Sequence, residues 1–219
     1  MESKVGHTAE PEVSDPSVLT IDRIFERKEF DVKSYSARWI DGQAAFTTLE
    51  ASPANKDWKD IVKHDVESGK ASIIVSAEEL IPPGESTPLK IDNYAFSKDE
   101  SRVLIYTNSK RVWRKNTRGD YWLLDRSGRQ LKKLGGDGKP ATMMFAKLSP
   151  TGKHVAYVRD RNIYLEDLFD HSIERLTETA SDTVINGTTD WAYEEEFQVR
   201  DGFQWSPDGQ RIAYWQIDT

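Results

Sequence analysis

Three consecutive carboxylates, Glu194, Glu195 and Glu196, lie within the aromatic string Asp190-Trp191-Ala192-Tyr193-Glu194-Glu195-Glu196-Phe197. Ionised glutamate is costly to remove from water unless a cation or several hydrogen-bond donors compensate it. A rigid acidic cluster framed by Trp191, Tyr193 and Phe197 therefore has the chemistry of a cation receptor, and a free peptide amino group is one such cation. The structural alternative is a solvated acidic face, which is what most acidic runs are. A second stretch with chemical potential, Arg111-Val112-Trp113-Arg114-Lys115-Asn116-Thr117-Arg118-Gly119-Asp120-Tyr121-Trp122, is basic and aromatic. Arginine presents a planar fork that can hold a carboxylate and donate to a carbonyl together, which lysine cannot do in the same geometry. The structural alternative here is a plain surface salt bridge.

These residues must be positioned by the elements around them, and the surrounding pattern is β. A strand–turn–strand unit turns at Ser97-Lys98-Asp99, at Ser149-Pro150-Thr151-Gly152 and at Ser206-Pro207-Asp208-Gly209, a recurrence after 52 and then 57 residues. That is slightly longer than the roughly 40–50 residues of a propeller blade and leaves room for insertions. A degenerate earlier copy turns at Asp41-Gly42. Second hairpins follow over Ile61–Asp65 and Ala71–Val75, over Tyr121–Asp125 and Gln130–Leu134, and over Ile163–Asp167 and Ser172–Leu176. Two hairpins make a four-stranded antiparallel blade, so the pattern predicts an all-β fold with three blades, near 34–75, 91–135 and 142–178, and the opening hairpin of a fourth from about 201. The acidic cluster falls in the longest unpatterned interval, 179–200, which reads as an insertion between blades. There, Thr188-Thr189-Asp190 offers capping residues for a short helix over Trp191–Phe197. Residues 1–18 read as a flexible leader and 19–219 as the propeller portion.

Composition sets outer limits. The 219 residues carry a net charge of −7 without a basic stripe, which disfavours a nucleic-acid partner. There is no cysteine, hence no disulfide and no thiolate metal site, and no run of about 18 apolar residues to span a membrane. The first residues have no apolar signal region, and the compartment stays open between periplasmic or extracellular and cytoplasmic. His7, His64, His154 and His171 lack both a paired serine and a metal-ligand spacing, so no catalytic residue, metal or cofactor is expected in this chain. Gly84-Glu85-Ser86 fails as a nucleophile elbow at Pro88, and Gly135-Gly136-Asp137-Gly138 reads as a turn.

The string Val184-Ile185-Asn186-Gly187-Thr188-Thr189, continued through Asp190–Glu196 and by Trp205-Ser206-Pro207-Asp208-Gly209, resembles the propeller domain of dipeptidyl peptidase IV-like serine peptidases, and Phe197-Gln198-Val199-Arg200-Asp201-Gly202 after the acids resembles their bacterial members. The resemblance implies that Glu195 and Glu196 grip the α-ammonium group of a peptide substrate, and that Arg114, by the match at Trp113-Arg114, binds substrate beside them. Arg118 is a rival for Arg114, while Glu194, Tyr193 and Trp191 would give support. It further implies an eight-bladed propeller, of which about three and a half blades stand here, and a separate α/β-hydrolase domain bearing the Ser-Asp-His triad. The chain is thus expected to be a fragment of an exopeptidase that releases N-terminal dipeptides after Pro or Ala, inactive by itself, with a full-length protein that could form a homodimer. Two alternatives remain open at this point: a non-catalytic propeller used as an interaction module, and an acylaminoacyl peptidase or endopeptidase relative, against which the glutamate pair argues.

Overall fold

In the computed structural model, residues 15, 17–32 and 36–219 are described. The chain divides into two compact units at Ser36/Ala37. Most of the expected flexible leader, 1–14 and 16, lies outside the described residues. Residues 17–32 form a π-helical turn, Asp22–Glu26, tied by Arg23 to Glu29 and by Arg27 to Asp22. The first strand begins at Arg38, within the second unit.

The second unit is built of antiparallel sheets taken in sequence order. The first contains β1 (Arg38–Trp39), β2 (Ala45–Ala51), β3 (Lys59–Asp65) and β4 (Ala71–Val75); the second, β5 (Asn93–Phe96), β6 (Arg102–Val112), β7 (Lys115–Asp125) and β8 (Gln130–Lys133). The third contains β9 (Met144–Leu148), β10 (His154–Arg159), β11 (Asn162–Asp167) and β12 (Ile173–Arg175). The turns explain why serine recurs in the sequence. The Oγ atoms of Ser97, Ser149 and Ser206 each accept the backbone N–H five residues on, from Arg102, His154 and Arg211 at 3.0, 3.1 and 2.9 Å. Asp65, Asp125 and Asp167 close the outer hairpins in the same repeated manner, accepting backbone N–H groups two or three residues ahead.

Consecutive sheets stack face to face over separate apolar cores. Ile61, Val75, Leu80, Tyr94, Val103, Ile105 and Leu124 fill the first interface, and Leu104, Tyr121, Leu123, Leu134, Met143, Val155 and Tyr157 fill the second. Alternate residues of one strand therefore serve two cores: Val103 and Ile105 face the first sheet while Leu104 faces the third, the period-2 logic of a strand buried on both faces. This is the partial propeller of four-stranded blades that the turn pattern predicts.

The fourth unit differs from the expectation in one respect that matters. Its first strand is split into β13 (Val184–Asn186) and β14 (Phe203–Trp205), which pair with β16 (Gln216–Asp218) and β15 (Ile212–Tyr214), two segments of one continuous returning stretch. The segment with the acidic cluster is thus looped out of the middle of a strand and does not lie between blades. Pairing resumes because Gly202 N–H donates to Gly187 O at 3.1 Å, while Trp215 bonds to both glycines. This neck admits only small residues. Gly187 has φ +70°, and a Cβ on Gly202 would stand 2.9 Å from Thr188 N and 3.0 Å from Gly187 C. A buried amide network, in which Asn186 donates to Arg161 O and accepts from Gln216, fixes the strand stub to the third sheet.

Gly202→Ala is accordingly expected to destabilise the protein by about 1–3 kcal/mol, since backbone rather than a flexible side chain must move. Urea unfolding of the two proteins measures this, and an unchanged midpoint would contradict the neck geometry.

Candidate functional site

The looped-out segment carries α1 (Trp191–Phe197), the helix predicted for these residues. Asp190 caps it by accepting the Tyr193 N–H at 3.0 Å, and Gln198 ends it in the left-handed conformation with φ 56°. Thr188 and Thr189 brace the loop from inside, donating their hydroxyls to Arg200 O and Val199 O at 2.9 and 2.8 Å.

Adjacent helical residues point about 100° apart, so three consecutive glutamates cannot share one environment. Glu194 turns inward and is 1% exposed, against Arg200 at 8%. Glu195 and Glu196 turn outward. The aromatic frame does not enclose them: Trp191, Tyr193 and Phe197 are 58%, 41% and 67% exposed, with Tyr193 and Phe197 packed on each other. The desolvation argument therefore applies to Glu194, whose compensating cation is internal.

The opposing wall is the β6–β7 hairpin, which is longer than the sequence pattern predicts. β7 begins at Lys115 instead of Tyr121, because pairing continues beyond the blade through Thr107–Asp120, Lys110–Arg118 and Val112–Lys115 to a turn at Trp113-Arg114. Two register irregularities between Thr107 and Arg111 bend this overhang. Reciprocal hydrogen bonds between Gly119 and Met143 tie its base to the third sheet. At its tip Arg114 forks onto Glu195, with Nη2 donating to Oε1 at 2.5 Å and Nε to Oε2 at 3.3 Å. This pair is solvent-accessible, and the Glu195 carboxylate raises the Arg114 pKa.

Beneath it the Arg200 guanidinium meets Glu194 Oε2 at 3.2 Å through Nε and stacks 4.2 Å from the centre of the Trp113 ring. The angles are not those of a hydrogen bond, and Glu194 Oε1 and Oε2 and Arg200 Nε and Nη1 are buried without hydrogen-bond partners, so charge holds this pair. Burial lowers the Arg200 pKa to about 10, partly offset by Glu194 and reinforced by Arg118. Arg118 itself makes no hydrogen bond to Glu195, whose fork partner is Arg114. It lines a cavity of about 660 Å³ with Trp113, Asp190, Trp191 and Arg200, and has no ion pair among the described residues.

The structure thus brings Arg114 to Glu195 and leaves Glu196 beside them without an ion pair among the described residues. Among those residues no cluster of three or more His, Cys, Asp or Glu could hold a metal, and no helix is long and apolar enough to cross a membrane. Arg200 is the residue that sequence reasoning missed. The signal was present, since a glutamate inside an aromatic string needs a cation and Val199-Arg200 is the nearest basic position.

The model of the dipeptidyl peptidase IV N-terminal region matches residues 97–219, more than half the chain. The chain belongs to this family. Dipeptidyl aminopeptidase B of Saccharomyces cerevisiae is 29% identical over 198 residues, covering 89% of this chain and 23% of the yeast protein. A probable dipeptidyl-aminopeptidase B of Chaetomium globosum is 30% identical over 82% of this chain and 21% of its own length. Among solved structures, dipeptidyl peptidase 4 of Porphyromonas gingivalis superposes with a TM-score of 0.76 at 26% identity, over 91% of this chain and 28% of that one. The chain spans about a quarter of the length of these relatives. Its sheets are those of the dipeptidyl peptidase IV N-terminal region, and the helix with the three glutamates lies within the matched residues.

Asp190→Ala should remove the helix cap and cost about 1 kcal/mol, whereas Asp190→Asn retains an acceptor and should cost little. Hydrogen exchange at the Tyr193 amide reports the difference directly, with faster exchange expected in the alanine variant alone.

Proposed function

We propose that the exposed Arg114–Glu195–Glu196 group receives the α-ammonium of a peptide substrate, and that the longer protein is a serine-type dipeptidyl peptidase releasing N-terminal Xaa-Pro or Xaa-Ala dipeptides. The observation that carries this reading is the charge balance on α1. Arg200 neutralises Glu194 inside the protein, Arg114 neutralises Glu195 at the surface, and Glu196 is left over. Two exposed carboxylates and one guanidinium leave a net charge of one minus, the complement of a single ammonium cation. The free α-amino group has an ordinary pKa of about 7.7–8.0, and paired carboxylates raise it, so the bound terminus stays charged at neutral pH.

Capture of the terminus acts as a ruler. A fixed length of chain then separates the ammonium from the carbonyl presented to a nucleophile, which selects cleavage two residues in and excludes blocked or internal sites. Arg114 spends one side of its fork on Glu195 and keeps N–H donors for a substrate carbonyl. In this reading the nucleophile, its base and the oxyanion hole come from an α/β-hydrolase domain. The relatives named dipeptidyl aminopeptidases support the reaction class, and the glutamate pair argues against a peptidase for blocked termini.

The decisive variants are Glu195→Gln and Glu196→Gln in the full-length enzyme, which keep shape and remove charge. Losing one partner of a desolvated charge pair costs about 2–5 kcal/mol, or roughly 30-fold to several-thousand-fold in kcat/KM on a free-amino dipeptidyl substrate. Arg114→Lys, which retains charge without the fork, should also be damaging. Near-normal kcat/KM in both folded glutamine variants would falsify the ammonium reading.

A further inference from the structure

Arg114 and Glu195 are 81 residues apart in sequence and are presented by different elements, a hairpin overhang and a short helix. An exposed ion pair holds such elements together weakly, because solvent screens it and two long side chains must be ordered. Something else has to set their separation. Arg200 touches the residue immediately before each member of the clamp: Glu194, which precedes Glu195, through Nε at 3.2 Å, and Trp113, which precedes Arg114, with the guanidinium carbon over the ring 4.2 Å from its centre. We propose that Arg200 is a positioning residue that sets the geometry of the Arg114–Glu195 clamp by bridging α1 and the β6–β7 turn through its guanidinium. Its functional consequence rests on the ammonium reading above; the positioning itself does not.

Four features support this assignment. Arg200 is 8% exposed and Glu194 is 1% exposed, so their attraction is screened far less than that of the clamp they underlie. The Arg200 backbone is anchored independently, its carbonyl accepting the Thr188 hydroxyl at 2.9 Å and its neighbour Asp201 bridging to Thr188, so the side chain works from a fixed base. Trp113 sits in the left-handed region with φ 55°, a conformation unfavourable for a bulky residue that persists only where its surroundings enforce it. The guanidinium against its ring is a contact that can enforce it, since arginine on an indole face combines cation–π attraction with stacking. Finally, the unpartnered buried atoms of both side chains mean that the bracket depends on charge and stacking rather than on a directional hydrogen-bond network. Such an arrangement fails as a unit when either partner is removed.

Arg200→Met alone would strand the Glu194 charge in the interior and could unfold the loop, so two gentler variants make the test. Trp113→Leu keeps the buried ion pair and removes the stacking face. Glu194→Gln combined with Arg200→Met removes both charges together. In the 219-residue protein, the Arg114 side-chain Nε–H signal, assigned by its loss in Arg114→Lys, reports the clamp without any substrate. It should be distinct from exposed arginines in the parent and move to their position in both variants, with urea unfolding confirming that each is folded. In the full-length enzyme, Trp113→Leu should lower kcat/KM on a Gly-Pro chromogenic substrate about 10- to 100-fold, the scale set by misplacement of a binding group by about 1 Å. That loss should vanish in a Glu195→Gln background, where no clamp remains to be positioned. An unshifted Arg114 signal in the folded variants, or an equal loss with and without Glu195, overturns the positioning role. A normally active Glu195→Gln enzyme instead overturns the ammonium reading, and the signal shift alone then decides whether Arg200 positions the clamp.

Discussion

A carboxylate with 1% exposure has to be compensated from within the protein, and the arrangement of the site follows from how Glu194 meets that requirement. Its partner, Arg200, comes from the returning limb of the same looped-out segment. The segment can close into a loop only because Gly187 and Gly202 meet at the neck. Once Glu194 faces inward, helical geometry turns Glu195 and Glu196 outward, and the capped helix holds them there. The buried pair is thus an orienting device as much as a stabilising one, since replacing such a pair by apolar groups is often neutral for stability.

The sheets provide the second requirement, a rigid wall opposite the helix. The central strands of the second sheet, β6 and β7, are buried on both faces between two cores, so this sheet cannot tilt without disturbing its neighbours. The β6–β7 overhang is tied at its base through Gly119–Met143 and extends beyond the blade to Trp113 and Arg114 at its tip. Chemistry is placed where scaffold gives way to loop, the usual location for binding residues on a packed framework.

The sequence reveals those parts of the fold that are written locally. Serine turns, Asp-Gly and Ser-Gly hairpins and two-residue alternation predict three blades and an opening hairpin, because each signal spans fewer than ten residues. The helix over Trp191–Phe197 is legible for the same reason, through Asp190 and its neighbours. What stays hidden depends on contacts between distant segments. The overhang continues past Tyr121 because of bulges and a cross-sheet bond that no pattern in β7 announces. The split strand is hidden because Val184–Asn186 is too short to stand out from the loop that follows it. The sequence sets Glu194 apart from Glu195 and Glu196 only through the family resemblance, whereas folding pairs Glu194 with Arg200 and Glu195 with Arg114 and leaves Glu196 without an ion pair among the described residues.

The central claim is that the outward carboxylates bind a peptide ammonium as a cation. The most direct measurement is a pH titration, by nuclear magnetic resonance, of a dipeptide labelled with ¹⁵N at its α-amino group, free and bound to the protein. Pairing with Glu195 and Glu196 favours the charged form, so the bound amino group should titrate at higher pH than the free one, and an N-acetylated dipeptide should not compete for the site. A bound amino group that titrates at its free value, or displacement by the acetylated peptide at equal concentration, would contradict the account.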